Sequence, residues 1–134
     1  MHDDIIVNKI EIIRRCIKRI KEEYNGDKTR LKNFTIQDSI ILNLQRACEA
    51  AIDLGMHIIA VKKLGVPQAS RDAFIILKEQ EIIDEENCKM MTAMIGFRNI
   101  AVHDYQKLNL AILEKIIENH LGDFEKYYGK ILEL

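Results

Sequence analysis

Ile6, Ile10, Ile13, Ile17 and Ile20 recur every three or four residues, the spacing that lines one face of an α-helix and cannot line one face of a strand. The same period returns along the rest of the chain, and no useful length of apolar–polar alternation interrupts it. Only seven of the 134 positions are Gly or Pro, so little chain is left over for loops. These constraints predict an all-α, single-domain, up-and-down bundle of about five helices spanning residues 1–134, with no linker or repeat to mark a second unit.

The first helix is expected to begin at Asp3 or Asp4, acidic residues suited to a cap and to the positive end of the helix dipole. It ends before Asn25-Gly26, and a polar connection follows in which Phe34 is expected to tuck against the core. Thr35 with Asp38 reads as the next start. From Ile36 to about Lys63 the inward face carries Ile40, Ile41, Leu44, Ala47, Cys48, Ala51, Leu54, Ile58 and Val61. Gly55 permits a bend or a close helix crossing, and Leu64-Gly65-Val66-Pro67 ends the helix. Ser70 is expected to cap a short helix through Gln80, with Ala73, Phe74, Ile76 and Leu77 inward. Asp84 caps a helix from Glu85 to about Val102. After a turn over Asp104-Tyr105-Gln106-Lys107, Asn109 caps a final helix through Leu132 that buries Ile112 and Leu113 among others, with Gly122 marking a kink or close contact.

Hydrophobic residues make up 48% of the chain, enough at this length to bury a core without staples. Cys16, Cys48 and Cys88 lack any paired spacing and read as small buried hydrophobes. His57, four residues after Asp53, is more simply a local hydrogen bond than a metal site, and no metal is expected. No apolar run is long enough to span a membrane and no leader pattern is visible, which predicts a cytoplasmic protein. The net charge of −1 is unevenly spread. Lys9 to Lys32 holds nine basic against four acidic residues, and Glu79 onward holds six against eleven. Arg14, Arg15, Lys18 and Arg19, opposite the isoleucine stripe, form the candidate RNA-contacting face; the plainer reading is solvated helix faces.

The chemistry concentrates in Gly96-Phe97-Arg98-Asn99-Ile100-Ala101-Val102-His103-Asp104-Tyr105. On a helix, Met91, Met94, Ile95, Ala101 and Val102 fall within about 60° of Arg98. A guanidinium amid that stripe must find an anion, reach solvent or line a cleft, because an unpaired buried charge costs several kcal/mol. Glu49 and Asp53 are the candidate partners if the role is structural. His103 lies about 140° around the helix from Arg98, so the two share a face only if the helix ends, distorts near Val102, or meets a second copy of itself.

Arg98, four residues, His103, one residue and Tyr105 resemble the signature of the HEPN superfamily, and more closely that of HepT-type toxins. The segment from Gln45 to Gly55 resembles the second helix of that family, which extends the likeness from about Asp3 to Tyr128. The resemblance implies a metal-independent endoribonuclease that works as a homodimer. It also implies a partner, a minimal nucleotidyltransferase of the MNT type, that acts as antitoxin by transferring AMP to the motif tyrosine, here Tyr105. ATP is then used only by the partner, and the chain needs no cofactor of its own.

The residues suit that chemistry. Cleaving RNA without a metal requires a base for the 2′-hydroxyl, an acid for the leaving 5′-oxygen and a cation for the phosphorane. Histidine serves the first two because its ordinary pKa is about 6.5, and arginine serves the third through its fork. Asn99 supplies an amide for phosphate or ribose. One chain offers a single motif histidine, and a symmetric dimer offers two. The alternative is a non-catalytic helical module that binds the nucleotidyltransferase together with its nucleotide or substrate. On plainer readings His103 caps a helix end and Tyr105 is a core aromatic.

Overall fold

A computed structural model of the chain describes residues 3–103 and 108–134. Among the described residues six α-helices make up an all-α bundle: α1 (Asp4–Tyr24), α2 (Phe34–Lys62), α3 (Ser70–Glu79), α4 (Glu85–His103), α5 (Leu110–Asn119) and α6 (Leu121–Leu132). A short 3-10 segment, Lys28–Lys32, lies between α1 and α2. Among the described residues no helix is long and apolar enough to cross a membrane.

The isoleucine stripe of α1 is buried as its spacing requires, with Ile6, Ile13 and Ile20 wholly inside. The Asp3 carboxylate accepts from the Ile6 N–H at 2.9 Å and starts the helix. Asn25, left-handed at φ 50°, ends it. Two polar ties show α1 running antiparallel to α2: Lys9 Nζ to Asp53 Oδ2 at 3.1 Å and His57 Nε2 to Asp3 Oδ2 at 2.6 Å. Asp53 and His57 therefore do not pair with each other as their spacing suggests. Each has a partner on α1 instead.

The second helix starts two residues earlier than Ile36, because Asn33 rather than Thr35 supplies the cap, its Oδ1 accepting from Ile36 N–H at 3.1 Å. Phe34, expected in the core, is 77% exposed. The connection's buried anchor is Leu31, which the 3-10 segment turns inward. Beyond Asn33 the helix buries an arc of about 200° from Ile40 to Ile59, and α1, α3, α4 and α6 cover it. Val61, in the last turn beyond that cover, is exposed.

Gly55 does provide a close crossing. A Cβ there would sit 2.7 Å from Tyr127 Oη and 3.4 Å from the side chains of Ala73 and Leu77. Tyr127, fully buried on α6, donates its hydroxyl to the Ala51 carbonyl at 2.8 Å and meets Phe74 edge-on. Ser70 is not the cap of α3. The Asp72 carboxylate takes that role, accepting from the N–H groups of Gln68 and Ala69 at 2.8 and 2.9 Å. Asp84 caps α4 as expected, its Oδ1 accepting from Asn87 N–H at 2.7 Å.

The single final helix is in fact two. Asn109 caps the first of them, accepting from Ala111 N–H at 2.8 Å. His120 then leaves helical geometry at φ −124°, ψ −2°, and its Nδ1 lies 3.0 Å from Asp123 Oδ2 in the first turn of α6. The apolar period keeps its phase across the break, so Leu113, Ile117, Leu121 and Phe124 are all buried. Gly122 makes no close contact, and the interruption falls at His120. Ile112, expected inside, is 55% exposed in the first turn of α5. All three cysteines are free and buried.

Gly55→Ala should lower stability by about 1–2 kcal/mol, overpacking outweighing the better helix propensity of Ala. Paired with Tyr127→Phe, which removes the clashing hydroxyl, it should cost less than the two single changes summed; urea midpoints check both points. A second expectation concerns acid. The His57 hydrogen bond, followed by that from Ile6, holds the Asp3 carboxyl below its ordinary 3.8. A depressed acid stabilises the fold above its unfolded pKa, and that contribution is lost as pH falls through the folded value. The stability difference between wild type and Asp3→Asn should therefore shrink as pH drops below 3.8, in a pH series of urea titrations.

Candidate active site

The fourth helix is covered from three sides, by α2, α3 and α6. Its buried side chains Met91, Met94, Ile95, Phe97 and Ala101 consequently spread around it instead of forming one narrow stripe. Arg98 emerges where α2 passes and α3 begins. Its Nη1 donates to Glu49 Oε1 at 2.8 Å and its Nη2 to Ser70 Oγ at 3.3 Å. Of the two candidate carboxylates, Glu49 is thus the one that meets the charge. The pair is not deeply buried, since the Arg98 side chain is 18% exposed and that of Glu49 42%. Arg98 Nε, by contrast, is buried and has no hydrogen-bond partner among the described residues, an arrangement that costs about 1–3 kcal/mol.

One turn before Arg98, the buried Cys48 thiol lies 3.7 Å from the Met94 carbonyl and ties α2 to α4. Burial pushes this thiol up to about 12, with the Arg98 charge acting in the opposite direction. Cys48 is a packing group and not a nucleophile.

Asn99 and His103 are both exposed on the last turns of α4. They are four residues apart and share a face. The helix stays regular through His103, so Arg98 and His103 point about 140° apart. One chain brings together Asn99 and His103, and separately Arg98, Glu49 and Ser70. It does not bring the arginine to the histidine. Tyr105 and its neighbours 104, 106 and 107 lie outside the described residues.

On another side of α4, Met90, Ala93, Phe97 and Ile100 face Leu108 and Ile112 across an apolar groove of about 310 Å³. Ile100, Val102 and Ile112 are 42%, 48% and 55% exposed. The basic face of α1 is solvated. Arg15 and Arg19 pair along the helix with Glu11 and Glu23, each at 3.6 Å, while Arg14 and Lys18 line a groove with Lys21 and Tyr128. Among the described residues no three His, Cys, Asp or Glu side chains are placed to hold a metal.

Sequence reasoning included Glu49 among two candidates but read Ser70 only as a cap. Ser70 precedes Arg98 by 28 residues, and only the path of the α2–α3 connection brings it there.

An all-α bundle whose fourth helix ends in a half-buried arginine followed by an exposed amide and imidazole is a HEPN-class arrangement. The model of the family described as Ribonuclease HepT-like matches residues 13–131, and the chain belongs to that family. It is 52% identical over 130 residues to the mRNA nuclease HepT of Shewanella oneidensis, covering 96% of this chain and 97% of that one. It is 31% identical over 106 residues to the tRNA nuclease HepT of Aphanizomenon flos-aquae, covering 78% and 72%. A solved structure of the tri-AMPylated Shewanella oneidensis HEPN toxin in complex with MNT antitoxin superposes with a TM-score of 0.94 at 49% identity, covering 99% of this chain and 100% of that one.

Because Glu49 is so exposed, the Arg98 pair is screened by solvent and its charge term is small. Arg98→Lys should change stability by less than about 1 kcal/mol in urea titrations, whereas a core change such as Leu54→Ala should cost about 2–5 kcal/mol.

Proposed function

We propose that the chain is a cytoplasmic, metal-independent endoribonuclease that acts as the toxin of a HEPN/MNT toxin–antitoxin pair. The observation that carries the reading is that Arg98, Asn99 and His103 all lie in the last two turns of α4, in a chain 52% identical to an mRNA nuclease HepT. Arg98 offsets charge on the phosphorane, His103 moves the proton between the 2′-hydroxyl and the leaving 5′-oxygen, and Asn99 hydrogen-bonds the phosphate or ribose. Arg14, Arg15, Lys18 and Arg19 add a weaker electrostatic contact with RNA.

The working unit is a homodimer. α4 places His103 about 140° around the helix from Arg98, and a second copy is a route by which the two converge. The exposed Ile100 and Ile112 beside the α4–α5 groove support an occupant for that face. The partner enzyme is an MNT-type nucleotidyltransferase: the Tyr105 hydroxyl attacks the α-phosphate of ATP, AMP is joined to the phenol oxygen and pyrophosphate leaves. A phosphodiester two residues from His103 repels an RNA backbone and blocks its approach.

Purified wild type should cleave RNA in the presence of EDTA, and His103→Ala should lower the rate by about 10²-fold or more, the scale of one general acid–base group. Mixing Arg98→Ala and His103→Ala chains should restore activity if each site draws its arginine and histidine from different subunits. Equal RNA integrity and equal host growth for wild type and His103→Ala would overturn the nuclease reading. Incubation with the nucleotidyltransferase and ATP should add mass at Tyr105 and silence cleavage, while Tyr105→Phe should escape both. Suppression without added mass would replace modification with simple binding.

A further inference from the structure

Building on the nuclease reading above, we infer that Glu49 and Ser70 are positioning residues for Arg98. They clamp one N–H of each terminal guanidinium nitrogen and so orient the other N–H of each for the scissile phosphate. Arginine carries five N–H donors, one on Nε and two on each Nη. Nε is buried away from any ligand. One donor of Nη1 goes to Glu49 Oε1 at 2.8 Å and one of Nη2 to Ser70 Oγ at 3.3 Å. The second N–H of Nη1 and of Nη2 are what the site has left to offer, and with Glu49 and Ser70 on the outward N–H groups these are the parallel inner pair that a phosphate accepts bidentately.

Two observations separate this from a pair that merely holds the fold. First, the carboxylate is 42% exposed, so water weakens its contribution to stability. Second, the clamp comes from two different elements, α2 and the first residue of α3, which meet at this guanidinium. Two anchors at different nitrogens fix the plane of the fork as well as its position, which one anchor cannot do. The arrangement also neutralises the charge: with Glu49 ionised, the pair is formally neutral before RNA arrives. The clamp therefore favours orientation at the expense of ground-state attraction, and the two effects are separable by substitution.

Cleavage kinetics and the side-chain ¹⁵N–¹H signals of Arg98 test this in full-length wild type, Glu49→Ala, Glu49→Gln and Ser70→Ala, with His103→Ala as the inactive reference. Displacing a positioned group by about 1 Å costs up to about 10²-fold. Glu49→Ala should accordingly lower kcat between about tenfold and about 100-fold while melting cooperatively near the wild-type temperature. Glu49→Gln keeps the acceptor and removes the charge, so kcat should stay within a few-fold of wild type and KM should fall. Ser70→Ala should show a smaller loss of kcat. In the spectra, restricted Arg98 guanidinium signals should average out in Glu49→Ala and return in Glu49→Gln. Wild-type kcat in Glu49→Ala, a kcat in Glu49→Gln as low as in Glu49→Ala, or unchanged Arg98 signals would each overturn the inference. If wild type and His103→Ala fail alike to cleave RNA, the nuclease reading falls, and the Arg98 signals still decide whether Glu49 and Ser70 orient the fork.

Discussion

The second helix buries more than half of its circumference, and so wide an apolar surface cannot stand against water. From Ile40 to Ile59 its buried residues sweep an arc of about 200°, with Leu42, Arg46 and Asp53 on the strip left exposed, and α1, α3, α4 and α6 supply the cover. The close approach at Gly55 sets how tightly that cover can be drawn, because Tyr127 reaches the Ala51 carbonyl only where no Cβ intervenes. Two of the charged side chains on α2 meet partners on the covering helices. Lys9 meets Asp53 at the α1 seam, and Arg98 meets Glu49 at the α4 seam.

A charged side chain in an apolar setting is ordinarily a liability. Here the seam between α2, α3 and α4 supplies a carboxylate and a hydroxyl to Arg98 while leaving its side chain 18% exposed. The unpartnered Nε is the residual cost. Such costs persist where the surroundings over-determine them, and they gather at functional sites. Asn99 and His103, one helix face away, need no such support, because both stand in solvent on a helix whose other sides are fixed by packing.

Much of this was legible in the residue pattern, and the gaps have physical causes. The α1 stripe and the Asp84 cap of α4 announce themselves, since local spacing and local hydrogen bonds decide them. The break at His120 does not, because Leu113, Ile117, Leu121 and Phe124 remain in phase across it and hydrophobic period alone cannot register a lost backbone turn. Phe34 misleads for the opposite reason: a large aromatic suggests burial, but the cap at Asn33 and the inward turn of Leu31 leave it outside. At the site, the placement of Arg98 among apolar neighbours left it an anion, solvent or a cleft, and Glu49 was one of two carboxylates offered for the first of these. Ser70 was hidden, because its meeting with Arg98 depends on how residues 64 to 69 travel between two helices, which no periodicity encodes.

The socket around Gly55 has one last consequence, for the order of synthesis. Tyr127 follows Arg98 by 29 residues, so translation adds the entire Arg98-to-His103 segment before the side chain that closes the bundle. Until then Phe74 and the Ala51–Gly55 turn lack their keystone. A prematurely terminated product carries Arg98, Asn99 and His103 without the packing that holds α4, and only the finished polypeptide fixes them in place.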